Sequence, residues 1–224
     1  MDRIFGTCAV LTFLAVTPVA FAENLSTIMS SPEVTISVHD FADVPTPLLA
    51  AAEAQAGRIF RHAGLETVWL NCGPKVEDVE SKACYVTDPT HLVLKILPHA
   101  LSAQVRDRGD VLGEAIVDER GVGYYAYAFY DRVQRVAEER RLGHALLGAV
   151  LAHEIGHLLL GSNSHTVSGI MSAHWNGEEL RRISEATMFF APSQSRVLRD
   201  RVGSRQADVP AVTRATAGGS AAPL

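Results

Sequence analysis

One long helical segment constrains this chain more than any other part of its sequence. Residues 142–160 combine helix-forming and apolar residues with His153, Glu154 and His157, and Gly161 follows where a helix commonly ends on a left-handed residue. Two histidines four positions apart on a helix are separated by about 40° around its axis, so both imidazoles can bind one metal ion. Glu154 leans over the same side, where a carboxylate can act as the general base of zinc hydrolysis. The segment therefore predicts a zinc site on a helix that is otherwise anchored in the core.

A third protein ligand for the zinc ion has to come from outside this helix. His165 follows Gly161 by four residues, and the glycine allows the chain to leave the helix sharply and turn back towards the metal. Glu178 and Glu179, in a later segment with a helical pattern, are the alternative, as in zinc sites built from two histidines and a glutamate. Acidic residues are equally expected there at the start of a solvated helix. His174 is nearby and can line the same cleft, so the residues alone leave the third ligand open.

The order of these residues resembles the metzincin clan of zinc metalloproteases. The sequence reads H-E-I-G-H at residues 153–157, then Gly161, His165 and G-I-M at residues 169–171. The resemblance implies these roles: zinc ligands His153, His157 and His165, general base Glu154, and Met171 in a tight turn beneath the metal. It also implies an α+β, zincin/metzincin-like fold, with a mixed twisted sheet, an active-site helix and a small C-terminal helical part. Residues 111–117 would then form the edge strand along which a peptide substrate lies.

The spacing departs from the common pattern of that clan. The common pattern is H-E-x-x-H-x-x-G-x-x-H, whereas here one extra residue precedes the glycine and another precedes the last histidine, giving H-E-x-x-H-x-x-x-G-x-x-x-H. The longer loop can still bring His165 back to the metal, because four extended residues have sufficient reach. Met171 also has a simpler interpretation, since methionine fills irregular gaps in protein cores.

The expected function is that of an exported zinc-dependent endopeptidase that hydrolyses peptide bonds with a zinc-activated water, Glu154 being the base. Its cofactor would be Zn²⁺, and its substrate a peptide or a protein. Two alternatives stay open: a non-catalytic zinc-binding extracellular module, and a zinc hydrolase of a non-peptide substrate. The net charge of −5 argues against nucleic-acid binding. The oligomeric state is not indicated.

The N-terminal segment has the pattern of an export signal. Residues 4–16 are largely apolar, and Ala20, Phe21 and Ala22 form a small-x-small site, so residues 1–22 are expected to be a signal peptide cleaved after Ala22. This predicts a secreted or periplasmic protein without a membrane span once the signal is removed, because the apolar run is too short to cross a bilayer.

Two cysteines, Cys72 and Cys84, are left after signal removal, in a segment rich in glycine, proline and charge. An even cysteine count in an exported protein favours a disulfide between them.

The rest of the chain is expected to form one catalytic domain over residues 23–203, with an N-terminal lobe over about 31–161 and a C-terminal part over about 162–203. Residues 204–224 are rich in Ala, Gly, Ser, Thr and Pro and are expected to form a disordered tail. Apolar periodicity and turn residues predict strands over residues 33–39, 66–70, 91–97, 111–117 and 124–130, and helices over 47–60 and 193–202.

Overall fold

The predicted strands and helices assemble around one central sheet. The computed structural model describes residues 31–73, 82–85, 88–105 and 111–207. The strands are β1 (Glu33–Asp40), β2 (Glu66–Asn71), β3 (His91–Leu97), β4 (Gly113–Val117) and β5 (Gly123–Phe129). The helices are α1 (Thr46–His62), α2 (His99–Val105), α3 (Tyr130–Arg140), α4 (His144–Leu160), α5 (Gly177–Ser184) and α6 (Pro192–Ala207).

The sheet has five strands in the order β2-β1-β3-β5-β4. The first four are parallel to one another, and β4 is antiparallel to β5 at one edge. A tight turn joins β4 to β5: the Asp118 carboxylate accepts hydrogen bonds from the backbone N–H groups of Arg120 and Val122, and Gly121 has a φ of 77°. The prediction of an α+β fold with a mixed sheet is confirmed.

Helix α4 is the centre of the molecule. Fourteen of its 17 residues are buried, as expected for a helix that is apolar on all sides. Its three other residues are His144 in the first turn, His153 and His157. Helix α1 packs closely against it at Gly148, where the absence of a side chain permits the contact. A Cβ atom there would lie 2.6 Å from the carbonyl oxygen of Ala52. Because the rest of the helix beyond its first turn is buried, His153 and His157 are the only residues there that remain partly exposed.

Helix α6 holds the C-terminal end of α4 through arginine side chains. Arg201 Nη1 donates to the carbonyl oxygen of Leu159 (3.3 Å), and Arg205 Nη2 donates to that of Leu158 (3.0 Å). These carbonyls belong to the last turn of a helix, where no intrahelical partner is available. The small C-terminal part is therefore fastened directly to the helix that carries the two histidines.

Three features differ from the sequence-based expectations. Helices α2 and α3 were not predicted; α3 follows β5 without an intervening turn residue, so no local signal separates the two. Helix α6 continues to Ala207, so the first four residues of the expected tail are helical.

The predicted signal peptide, residues 1–22, and residues 208–224 of the expected tail lie outside the described residues. The predicted disulfide between Cys72 and Cys84 is present, with a Cα–Cα distance of 6.0 Å. Among the described helices, none combines the length and the hydrophobicity needed to cross a bilayer.

Candidate metal centre

Three imidazoles meet above one face of α4. The Nε2 atom of His157 lies 3.1 Å from the Nε2 atom of His153 and 3.1 Å from that of His165. A tetrahedral zinc ion with ligand bonds of about 2.0–2.1 Å spaces two nitrogen ligands about 3.3 Å apart. Two of the three nitrogen pairs therefore have close to the spacing of a zinc site, and all three ligand atoms lie within 4.8 Å of one another. Within the described ranges they form the one cluster of this kind.

The other ring nitrogen of each helix histidine is already bonded. His153 Nδ1 lies 2.7 Å from the carbonyl oxygen of Ile170, and His157 Nδ1 lies 2.9 Å from Ser164 Oγ. A carbonyl oxygen can only accept, so His153 carries its proton on Nδ1 and presents the Nε2 lone pair to the cluster. Outer hydrogen bonds of this kind orient metal-binding histidines and fix their tautomers.

The chain reverses after α4 and returns His165 to the other two histidines. Gly161 ends the helix with a φ of 85°, and its N–H donates to the carbonyl oxygen of His157 (2.8 Å). Asn163 has a φ of 59°, in the left-handed region that asparagine tolerates. Thr166, next to His165, donates its backbone N–H to the carbonyl oxygen of Met171 (2.9 Å). Two left-handed positions and this bridge bring the third imidazole into place.

Met171 lies in a tight turn beneath the histidines. Gly169 has a φ of 89°, and its carbonyl oxygen accepts the N–H of Ser172 (3.0 Å). Met171 is fully buried, and a Cβ atom at Gly156 would lie 2.6 Å from its Sδ atom. Because Gly156 stands between the two helix histidines, the methionine sulfur packs directly under the site.

The side chain of Glu154, a residue of α4, is buried against β4. Burial, and next the negative charge of Glu114, raise its pKa to about 8. A Cβ atom at Gly113, the first residue of β4, would lie 2.6 Å from both Cγ and Oε1 of Glu154. The absence of a side chain at Gly113 is therefore what leaves room for the Glu154 carboxylate against β4.

Replacing Gly113 by alanine is expected to displace Glu154. The new methyl group would also lie 2.7 Å from the carbonyl oxygen of Tyr127, which belongs to the paired strand and cannot move freely. Overpacking of this kind costs about 1–3 kcal/mol of stability. We expect a lower melting temperature by calorimetry and loss of any activity that depends on Glu154, with metal binding retained.

Gly203 provides the matched control for this substitution. It lies in α6, and apart from the adjoining backbone of its own helix no described heavy atom lies within 4 Å of the position a Cβ would take. Alanine there should stabilise the protein slightly, because it lowers the entropy of the unfolded chain. Equal melting temperatures for the two variants would contradict the close packing at Gly113.

The histidine cluster holds its rings in the neutral form. Burial, with a smaller effect of His165, lowers the pKa of His153 to about 4, although the hydrogen bond to Ile170 opposes this. Burial and the neighbouring His153 and His165 lower the pKa of His157 to about 3. Burial and then His174 lower the pKa of His165. Neutral imidazoles are the form that binds metal.

The two glutamates considered as alternative ligands have other roles. The backbone N–H groups of Glu178 and Glu179 donate to Asn176 Oδ1, and the Glu179 side chain accepts the N–H of Asn176, so both belong to the N-terminal cap of α5. The Glu178 carboxylate pairs with Arg181 at 2.6 Å. The structure thus brings His165, and neither glutamate, to the cluster.

Two further aromatic residues lie beside the cluster. His174 is exposed, and its carbonyl oxygen accepts the Ser172 hydroxyl (2.9 Å). Trp175 packs edge-on against the His153 ring, with centroids 5.6 Å apart. Sequence reasoning did not identify Gly113 or Ser164, since a lone glycine and a lone serine carry no local signal for contacts with a distant helix.

No protein-family model and no curated protein sequence matches the chain. Its structure is similar to a zinc-dependent peptidase from Methanocorpusculum labreanum, with 15% identity and a TM-score of 0.47 over 73% of this chain and 99% of that one. It is also similar to archaemetzincin from Methanopyrus kandleri, with 13% identity and a TM-score of 0.44 over 77% of this chain and 97% of that one.

Proposed function

We propose that this chain is a zinc-dependent endopeptidase. One observation carries the proposal: His157 Nε2 lies 3.1 Å from the Nε2 atoms of both His153 and His165, and the helix of His157 also carries the buried Glu154 carboxylate. The residues fit the ion chemically, because imidazole nitrogen is a preferred zinc ligand and the three rings are held neutral. Three protein ligands are typical of catalytic zinc, whereas structural zinc sites use four. This favours an enzyme over a non-catalytic zinc-binding module.

The three histidines and Glu154 would have different roles in peptide hydrolysis. His153, His157 and His165 would hold the zinc ion, which when bound would polarise a substrate carbonyl and make water at the site more acidic. Glu154 would take the proton from the attacking water and give it to the leaving amine. It accepts the first proton only as a carboxylate, and a cation nearby would favour that ionised form over the raised pKa of the metal-free site.

Strand β4 is proposed as the binding edge for the substrate backbone. It is the last strand of the sheet order, so its outer side has no paired strand within the described residues. Its first residue lies against Glu154. A peptide added to this edge as an extra strand would pass directly by the proposed base.

We also propose that the protein is exported, to the periplasm or the exterior. The signal-peptide pattern of residues 1–22 supports this, and so does the disulfide, since disulfides persist mainly in oxidising compartments.

The proposed function is tested by metal analysis together with a cleavage assay. Purified protein should contain about one zinc ion per chain, because the described residues hold one cluster of three nitrogen donors. It should cleave an unfolded protein such as reduced casein, lose this activity with a chelator, and recover it with added zinc. A zinc-loaded protein that cleaves no peptide bond in several unfolded substrates would favour a binding module or a non-peptide hydrolase instead.

Zinc binding is expected to displace a proton from Glu154. At about pH 6 the metal-free protein holds a proton on Glu154, whose pKa is about 8, and His153 and His157, with pKa values of about 4 and 3, are neutral. A cation beside Glu154 favours its ionised form. Calorimetry in buffers of different ionisation enthalpy should show about one more proton released by the wild type than by Glu154→Gln. Equal proton release would mean that zinc binding does not change the protonation of Glu154.

A further inference from the structure

The loop that carries the third histidine is held by two hydrogen bonds of Ser164, which is not itself one of the clustered histidines. This exit loop comprises residues 161–165. Its Ser164 hydroxyl lies 2.9 Å from His157 Nδ1, and its Ser164 carbonyl oxygen accepts a hydrogen bond from Gln194 Nε2 (2.9 Å). Gln194 lies on α6 and is buried, with 8% of its surface exposed.

We propose that Ser164 and Gln194 are positioning residues that set the affinity of the site for zinc. The inference rests on the proposed function, because it assumes that the three histidines bind zinc. Ser164 acts on the second ligand through its hydroxyl, and Gln194 acts on the third ligand by holding the peptide group just before His165. The last helix of the fold is thereby coupled to the metal centre.

The hydroxyl of Ser164 orients His157. When Nε2 binds zinc, the neutral ring of His157 has to carry its proton on Nδ1, which would then donate to Ser164 Oγ, 2.9 Å away. His153 has the equivalent bond to the carbonyl oxygen of Ile170. Without the hydroxyl, the His157 ring is free to rotate or to move its proton to Nε2, and each of these changes removes a lone pair from the zinc position.

Both polar atoms of the Gln194 side-chain amide form hydrogen bonds. Its Oε1 atom accepts the backbone N–H of Ala191 (3.1 Å) at the start of α6, and its Nε2 atom donates to Ser164. The hydrogen bond from Ala191 therefore fixes the orientation of the Gln194 amide independently of its bond to the exit loop. The exit loop is longer than in the common metzincin spacing, so ordering it costs more conformational entropy. The hydrogen bond from Gln194 on α6 helps to hold the loop in one conformation.

Zinc affinity measured by competition with a chromophoric chelator tests the proposal. Loss of an outer hydrogen-bond partner typically weakens metal binding about 10- to 100-fold. We expect a weakening of this size for Ser164→Ala and for Gln194→Ala, and a smaller change for Ser164→Thr, which keeps the hydroxyl. Gln194→Glu keeps the oxygen that accepts from Ala191 but loses the donor to Ser164, so it should weaken zinc binding while preserving the start of α6.

Two exposed serines next to these positions serve as matched controls. Ser162→Ala, in the same loop, and Ser193→Ala, next to Gln194, should bind zinc like the wild type. Nitrogen-15 NMR of the zinc-loaded protein should show a slowly exchanging Nδ1 proton on His157 that Ser164→Ala loses and Ser164→Thr retains. A double variant of Ser164 and Gln194 should lose less affinity than the two single losses combined, because both act on one loop.

The outcomes separate this inference from the proposed function. Wild-type affinity in folded Ser164→Ala and Gln194→Glu proteins, with a zinc-binding wild type, would overturn the positioning roles and leave the peptidase proposal intact. A wild-type protein that binds no zinc would overturn both.

Discussion

Glu154→Gln protein is expected to retain its zinc and to lose peptide hydrolysis almost entirely. Glu154 is the neighbour of His153 in the chain but is not one of the clustered ligand groups, so its replacement leaves the nitrogen donors in place. A positioned general base contributes about 10²- to 10⁴-fold to a rate. We expect kcat to fall within this range, with the zinc content unchanged by mass spectrometry.

Glu178→Gln is the matched control for this variant. Glu178 is exposed in the first turn of α5, where it pairs with Arg181. Its replacement should leave both kcat and zinc content near those of the wild type. Substantial activity in Glu154→Gln protein would exclude Glu154 as the base and direct the search to another group near the cluster.

His165→Ala protein is expected to lose most of its affinity for zinc. The imidazole of His165 is one of three nitrogen donors, and its Nε2 atom lies 3.1 Å from that of His157. Removal of a direct ligand should weaken binding by more than the roughly 10- to 100-fold that follows loss of an outer partner. Dialysis against a weak chelator should then leave the variant free of zinc while the wild type keeps its ion.

His174→Ala tests whether this effect is specific to position 165. His174 is also an exposed histidine in the same part of the chain, but it lies outside the cluster of nitrogen donors. We expect its loss to leave the zinc content unchanged. If His165→Ala retained zinc and His174→Ala lost it, the ligand set described above would be wrong.

The local features of this protein follow from its sequence because they depend on residues close together in the chain. The four-residue spacing of His153 and His157 places both on one face of α4 in any helical conformation. The strands over residues 33–40 and 91–97 are indicated by their own apolar patterns, and the β4–β5 hairpin by its turn residues. The same local reasoning did not find α3, which begins directly where β5 ends.

Tertiary structure determined which of the candidate third ligands lies near the two helix histidines. Local patterns left His165, Glu178 and Glu179 as alternatives, because each can reach the helix histidines through a suitable loop. Left-handed residues at 161 and 163 return His165 to the cluster, whereas the two glutamates are used by the cap of α5.

The surroundings of the site also depend on contacts between distant parts of the chain. Gly113 makes room for Glu154 from 41 residues earlier, and Gln194 reaches Ser164 from 30 residues later. A motif determines which chemical groups are available, since helical periodicity is a local property. Long-range packing determines where those groups point and how strongly they are held, since only the folded chain brings a strand edge, an exit loop and a final helix around one set of imidazoles.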